Sequence, residues 1–262
     1  MHGVAEQGRQ EGGAFHVELE HVSLAFGARR VFHDLSCSFP RGKVSSLLGA
    51  SGTGKSTVLR LIGGLLRPEA GVVRVDGQDV TRLESAALHR VRRRIGMTFQ
   101  SGALLDALTL FENVALPLRE HTELPEAELA ARVRQRLADV GLADAETLLP
   151  SQLSGGMVKR AALARAVVME PALLLCDEPF SDLDPLNVRR IEALLVQLNE
   201  RLGLTIVIAT HHLASAFHMS DWMVLLADRE TVSGPPESLS RDGRPRVAEF
   251  LGAEARPAEV AP

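Results

Sequence analysis

Alternation of apolar and polar residues marks the first part of the chain. Between residues 17 and 26 apolar side chains recur at nearly every second position, which predicts an antiparallel strand with one covered face. Residues 72–75, followed by Asp76 and Gly77, predict a second strand and its turn. The N-terminal part is therefore expected to contribute antiparallel β-structure.

Short, nearly continuous apolar runs appear further along. Residues 173–176 and 205–209 are bounded by turns or polar residues, which is typical of central parallel strands covered on both faces. A third run covers residues 223–226. Between the first two runs, residues 186–202 carry apolar side chains at i, i+3 and i+4, which predicts an amphipathic helix. Strands alternating with helices predict an α/β layered core.

The middle of the chain, residues 100–166, shows mainly helical patterns and little strand. Pro125 opens one amphipathic helix, and residues 157–169 form another after a Ser-Gly-Gly turn. We expect a helical subdomain inserted into the α/β core, which takes up about residues 15–99 and 167–240. One domain would then span residues 15–251, with residues 1–14 and 252–262 as flexible ends.

Composition narrows the class of protein. The chain has 262 residues, of which 45% are apolar and 24% charged, as in ordinary soluble globular proteins. A net charge of -4 gives no reason to expect nucleic acid as a partner. Cys37 and Cys176 match no metal-ligand spacing, and Cys176 is expected to be a core residue. No stretch reaches the roughly 18 to 20 apolar residues that span a bilayer, so a membrane task would need a partner chain.

A glycine-rich turn stands between an apolar run at residues 44–48 and a helical pattern that begins at Lys55. It fits the P-loop pattern G-x-x-x-x-G-K-[ST], in which backbone N–H groups surround nucleotide phosphates. Lys55 should reach the β- and γ-phosphates of a nucleoside triphosphate, the Ser56 hydroxyl should bind Mg²⁺, and Thr57 adds a phosphate contact. The expected nucleotide-binding residues of this loop are Gly49, Ala50, Ser51, Gly52, Thr53, Gly54, Lys55, Ser56 and Thr57.

Two carboxylates, Asp177 and Glu178, follow the apolar run that ends at Cys176. The carboxyl end of a buried strand lies near the phosphates in such folds. Asp177 fits a partner of Mg²⁺, and Glu178 fits the general base that polarises the attacking water. The competing interpretation is a solvated acidic pair at a strand end.

The P-loop, the sequence Leu-Ser-Gly-Gly-Met at 153–157 and the run that ends in Asp177 and Glu178 occur in this order. Together they resemble the ATP-binding cassette of ABC transporters, and the resemblance covers about residues 15–250. It implies a RecA-like P-loop NTPase core with an inserted helical subdomain. By this resemblance Phe26 stacks on adenine, although it could instead be a core strand residue. Gln100 senses Mg²⁺ and links to a membrane partner, and His211, if not a solvated or capping histidine, lies near the γ-phosphate.

The same resemblance implies that some residues act on nucleotide held by another copy of the chain. These are the signature residues Ser154, Gly155 and Gly156, and Asp184 in the D-loop. Short and bare residues at a helix N-terminus suit an anion. One chain could not complete its own site, so two copies would meet head to tail around a two-fold axis. The chain departs from the family pattern at Met157, where Gln is frequent, and at Asp182, where Ala is frequent.

Four arginines form a basic cluster: Arg90, Arg92, Arg93 and Arg94. The favoured interpretation is a solvated helix face, and the alternative is a site that attracts lipid headgroups.

Residues 99–122 cover the region that docks on the permease in such cassettes. This segment, the Met157 signature and residues 245–252 resemble the ATPase of bacterial Mla-type phospholipid transport systems. The resemblance implies a permease dimer, a periplasmic MCE-domain protein, a small STAS-domain protein and phospholipid as cargo. It places the chain at the cytoplasmic face of the inner membrane. The alternatives are the ATPase of another transporter, such as a solute importer, and a soluble ABC ATPase of translation or DNA repair.

Overall fold

The computed structural model describes residues 14–227 and 230–255. The strands are β1 (Phe15–Phe26), β2 (Arg29–Pro40), β3 (Val44–Leu48), β4 (Ala70–Val75), β5 (Gln78–Asp79), β6 (Ile95–Thr98), β7 (Leu173–Asp177), β8 (Thr205–Ala209), β9 (Trp222–Ala227) and β10 (Glu230–Gly234). The helices are α1 (Lys55–Ile62), α2 (Ser85–Arg92), α3 (Leu110–His121), α4 (Glu126–Asp139), α5 (Gly155–Val167), α6 (Pro185–Leu202), α7 (Leu213–Met219), α8 (Pro236–Ser240) and α9 (Pro245–Ala255).

One sheet is antiparallel and has the order β2-β1-β4-β5. The expected alternation along β1 holds, but it skips one position between Leu19 and Val22. The register with β2 shifts at that point, and His21 has a φ of 52°. A bulge of this kind keeps the apolar side chains on the covered face on both sides of the irregularity.

The second sheet has the order β10-β9-β3-β8-β7-β6, with parallel pairs from β9 to β6 and an antiparallel edge strand β10. Every residue of β7 and β8 is buried, which confirms the prediction that these are central strands covered on both faces, and every residue of β3 is buried as well. Because these strands are parallel, their carboxyl ends meet at one edge, and the loops that follow them lie side by side.

Helices α3, α4 and α5 lie between β6 and β7 in the chain and share one hydrophobic cluster, which includes Leu118, Val133 and Ala161. In the part of the chain that the structure describes, no strand lies between Thr98 and Leu173. Helix α5 begins at Gly155, two residues before the expected start, because Ser154 caps it and both glycines join its first turn.

Several elements lacked a clear pattern in the sequence, among them β2, β10 and α3. Helix α9 extends to Ala255, into the segment 252–262 that was expected to be flexible, while residues 1–13 and 256–262 lie outside the described residues. Cys37 and Cys176 are buried, and burial raises the pKa of each thiol to about 12. Among the described helices, none is long and apolar enough to cross a bilayer.

Candidate functional site

The P-loop joins β3 to α1 and depends on glycine at its two ends. A Cβ on Gly49 would lie 2.7 Å from Thr53 Oγ1, and Gly49 has a φ of 154°. Gly54 has a φ of 100°, and a Cβ there would lie 2.6 Å from the Phe32 ring. Inside the turn, Lys55 Nζ donates to the carbonyls of Gly49 at 2.8 Å and Ala50 at 3.2 Å. The first N–H groups of α1 have no helical acceptor, so they are available to an anion.

The last residue of β7, Asp177, lies against this loop. Ser56 Oγ donates to Asp177 Oδ1 at 2.8 Å, which joins the two expected Mg²⁺ ligands across the sheet edge. Burial raises the pKa of the Asp177 carboxyl, and the hydrogen bond from Ser56 opposes that rise. A hydroxyl, a carboxylate and the amide of Gln100 are oxygen donors of the kind that Mg²⁺ prefers, so this donor set fits the ion.

Glu178 is held in a strained backbone conformation, with a φ of 46°. Its side chain is buried, and Oε2 accepts a hydrogen bond of 3.1 Å from Thr210 Oγ1 and lies 3.0 Å from His211 Nδ1. Its other oxygen, Oε1, lies 3.6 Å from Lys55 Nζ. The structure therefore brings Glu178, His211 and Lys55 into one cluster and excludes a solvated acidic pair.

These groups border a cavity of about 340 Å³. It is lined by Phe26, Arg29, Val31, Ser51, Gly52, Gly54, Lys55, Ser56, Thr57, Gln100, Glu178 and His211. Gly49, Ala50, Thr53 and Asp177 are not among the lining residues. Phe26 lines this cavity and is 49% exposed, so its ring is not part of the core.

Three residues near the cavity carried no prediction. Arg29 lies directly across the β1–β2 turn from Phe26, and its guanidinium reaches the carbonyl of Gly52 at 3.4 Å. Val31 lies two residues further along the same strand. Thr210 precedes His211 and binds Glu178. Recognition of β2 as the partner of β1 would have placed Arg29 beside Phe26, whereas no local signal marks Thr210.

The residues expected to act on a second copy lie elsewhere. Ser154, Gly155, Gly156 and Asp184 are absent from the lining of the cavity. Ser154 caps α5, accepting from the N–H of Met157 at 3.4 Å. Asp184 caps α6, and the donated backbone N–H of Asn187 lowers the pKa of its carboxyl. Gly156 lies close to Asn187: a Cβ added at Gly156 would lie 2.9 Å from Oδ1 of Asn187. The two helix starts thus form one surface, separate from the P-loop cavity.

Two residues hold the loop that follows β6. Asn113 is fully buried, and its amide donates to the carbonyls of Leu105, Leu108 and Thr109 while its oxygen accepts from the N–H of Leu105. From α5, Arg165 donates to the carbonyl of Gly102 at 3.0 Å. The loop is therefore fixed from inside, and it leaves Leu105 46% exposed.

Three of the four arginines of the cluster also contact neighbouring parts of the fold. Arg92 donates to the carbonyl of Gly64 at 2.6 Å, and Arg93 donates to the carbonyl of His121 at 2.9 Å. Arg94 lies 2.9 Å from a carboxylate oxygen of Asp76. Arg90, Arg93 and Arg94 are exposed, as expected for a solvated face, whereas Arg92 is half-buried against the turn that follows α1.

Comparison of the sequence with known proteins finds a matching family profile and several similar proteins. Residues 32–181 match the profile described as "ABC transporter". The chain is 42% identical over 240 residues, 91% of each chain, to the "Intermembrane phospholipid transport system ATP-binding protein MlaF" of Haemophilus influenzae. It is also 42% identical to the "Probable ribonucleotide transport ATP-binding protein mkl" of Mycobacterium tuberculosis (strain H37Rv), over 90% of this chain and 66% of that protein.

A solved structure described as a dimeric post-hydrolysis state of the ATP-binding cassette MJ0796 bound to ADP and Pi superimposes with a TM-score of 0.77 and 32% identity. The match covers 84% of this chain and 98% of that one.

Proposed function

Because this chain belongs to the ABC transporter family, we propose that it is the ATP-hydrolysing subunit of an inner-membrane transporter that moves phospholipid between inner and outer membranes. One observation carries the choice of cargo: the similarity to the phospholipid transport ATP-binding protein of Haemophilus influenzae runs over nearly the full length of both chains. The ATPase activity itself follows from the family and from the P-loop beside Glu178.

The hydrolytic roles follow from the contacts in the cavity. Phe26 offers an exposed ring to the adenine, and Lys55 exchanges its two carbonyl acceptors for the more strongly charged phosphates. Glu178 accepts a proton from the attacking water, and His211 and Thr210 hold its carboxylate in place. Ser56, Gln100 and Asp177 would hold Mg²⁺, which neutralises phosphate charge.

The second half of each site comes from another copy of the chain. Ser154, Gly155, Gly156 and Asp184 form a surface apart from the cavity of their own chain, and the MJ0796 cassette was solved as a dimer. ATP binding closes the head-to-tail homodimer, and hydrolysis reopens it.

Docking on the permease is assigned to the loop around Leu105, which Asn113 and Arg165 fix from inside. We assign residues 100–166 to a helical subdomain of one cassette that spans residues 15–251. The remaining parts of the proposed complex are a periplasmic MCE-domain protein and a small STAS-domain protein, with this chain on the cytoplasmic face. They rest on the resemblance of residues 99–122 to Mla-type ATPases.

A second candidate is the ATPase of a solute importer. The relative in Mycobacterium tuberculosis is named for ribonucleotide transport, and its sequence identity to this chain equals that of the Haemophilus influenzae relative, which supports this alternative.

The test is purification of the full chain carrying Glu178→Gln from detergent-solubilised native membranes with MgATP, followed by identification of co-purifying chains and lipids. A permease with an MCE-domain protein and bound phospholipid is the expected result. A permease with a periplasmic solute receptor would move the chain to the importers, and soluble partners alone would contradict a transport role.

A further inference from the structure

Lys159 lies on α5, little more than one helical turn after the cap Ser154, and its ammonium group binds three separate segments. It donates to the carbonyl of Gln100 at 2.5 Å, to Ser181 Oγ at 2.9 Å and to the carbonyl of Glu178 at 3.2 Å. Gln100 lies in the loop after β6, Glu178 is the proposed general base, and Ser181 lies in the D-loop. No other side chain in the described part of the chain has hydrogen bonds to all three.

The choice of lysine at this position matches the geometry. The chain has 29 lysine and arginine residues, and all of them are arginine except Lys43, Lys55 and Lys159. An ammonium group directs three donors to acceptors that converge from different directions, whereas a planar guanidinium presents a fixed fork. Burial lowers the pKa of the Lys159 ammonium, while Asp182, Glu178 and Asp177 act in the opposite direction.

We propose that Lys159 is a positioning residue that couples the start of α5 to the hydrolytic site of the same chain. This rests on the proposed function, in which Ser154 contacts nucleotide held by the other copy. Because α5 is one continuous helix, a shift at Ser154 moves Lys159, and Lys159 moves the backbones of Gln100 and Glu178. Arg165 adds a second attachment of the same helix to the loop after β6, at Gly102.

The position of Lys159 determines which kinetic quantity should change. Its three hydrogen bonds go to Gln100, Glu178 and Ser181, and within the described residues none goes to the P-loop. Loss of the ammonium should therefore leave the affinity for ATP intact and disturb the alignment of Glu178. It should also weaken the link between the two sites of a dimer, so that cooperativity in ATP concentration falls.

The first experiment measures steady-state ATPase kinetics and thermal unfolding of the full chain carrying Lys159→Met. We expect kcat to fall by about tenfold or more, KM to change by less than about twofold, and the Hill coefficient to approach one. Lys43→Met is the matched control, since Lys43 is an exposed lysine whose ion pair with Asp221, at 3.5 Å, lies outside the site. Unchanged kcat, or a rise in KM alone, would overturn the proposal.

A chemical rescue separates positioning from a general loss of structure. Lys159→Cys, treated with 2-bromoethylamine, regains an ammonium group on a side chain of nearly the same length. The native thiols are buried and have pKa values of about 12, so they stay unmodified at pH 8. We expect kcat and cooperativity to return after treatment, while Lys159→Arg fails to restore them. Absence of recovery in a chain modified stoichiometrically would contradict the proposal.

The outcome is independent of the cargo. If Lys159→Met retains full turnover while Glu178→Gln loses it, the coupling role alone fails. If Glu178→Gln also retains turnover, the assignment of the hydrolytic site fails together with the coupling role. Identification of a solute rather than phospholipid would change the proposed transporter and leave the kinetic result for Lys159 standing.

Discussion

Thr210 donates a hydrogen bond of 3.1 Å to Oε2 of Glu178, the same oxygen that lies 3.0 Å from His211 Nδ1. Both partners come from the residues that directly follow β8, while Glu178 directly follows β7. The neighbouring parallel strands thus bring the proposed base and its two hydrogen-bonding partners to one point. Oε2 is occupied by these contacts, which leaves Oε1, 3.6 Å from Lys55, on the side of the P-loop.

Replacing Glu178 by Gln should separate binding of ATP from its hydrolysis. Glu178→Gln keeps the shape and the contact with Thr210, but it removes the proton acceptor, so we expect turnover to fall by at least about 100-fold. ATP binding should persist, and closed dimers should accumulate in size-exclusion chromatography with MgATP. Undiminished turnover would remove Glu178 from the role assigned to it.

Ser154→Arg should block turnover without loss of ATP binding to the same chain, because Ser154 lies outside its own cavity. Ser154→Asp is the companion variant, since Asp also caps helices and sets a negative charge against the phosphate. The decisive measurement mixes Ser154→Arg chains with Glu178→Gln chains. A mixed dimer then has one site with an intact base and an intact signature, so ATPase activity should return. If mixing restores nothing, the sites are not shared between copies.

Gly54→Ala should destabilise the P-loop and weaken ATP binding. The added Cβ would lie 2.6 Å from the Phe32 ring, in a backbone with a φ of 100°. Gly77→Ala provides the control, because Gly77 also has a positive φ, 74°, but a Cβ there meets nothing within 4 Å. We expect both variants to lose about 1 kcal/mol or more of unfolding free energy. Only Gly54→Ala should also lower ATP affinity, as measured by titration; equal affinities in the two variants would contradict the importance of close packing at Gly54.

Acidification should destabilise the fold through His16. This side chain is buried, and burial lowers its pKa from 6.5 to about 4, with Arg41 acting in the same direction. Between these values the unfolded chain binds a proton that the folded chain does not. The contribution of His16 is therefore fully present above pH 6.5 and is lost as the pH falls toward 4, by about 1.4 kcal/mol per pH unit.

Burial of the ring and the nearby Arg41 guanidinium explain this sign, because both disfavour the charged imidazolium. His16 Nδ1 lies 2.6 Å from Thr205 Oγ1, which also accepts from the N–H of Gly42 at 2.9 Å, so the ring is held inside the fold. Denaturant unfolding of the wild type and of His16→Asn at several pH values measures the effect. The variant should show a smaller slope of unfolding free energy against pH over this range, and equal slopes would exclude His16 as the cause.

Much of the fold could be predicted because its signals are local. Apolar runs predicted β7 and β8, and helical spacing of apolar residues predicted α4 and α6. The P-loop pattern predicted the turn between β3 and α1. β2 was missed because charges and small residues stand between its apolar positions. Helix α3, which contains Pro117, lies in the region predicted to be helical, but its bounds were not predicted. Most candidate residues of the cavity belong to short motifs, and Phe26 was predicted from the family resemblance, whereas Arg29 and Val31 were not predicted. The roles of all these residues stay proposals until tested.

By itself the sequence determined the chemistry that the chain carries: a phosphate-binding loop, a pair of carboxylates after a buried strand, and a signature at a helix start. Only the tertiary structure decided which of these groups meet. Lys159 reaches Gln100 across 59 positions of sequence, and His16 reaches Thr205 across 189. Periodicity reports the few neighbours of a residue along its own element, whereas these contacts depend on how strands and helices from distant parts of the chain pack together.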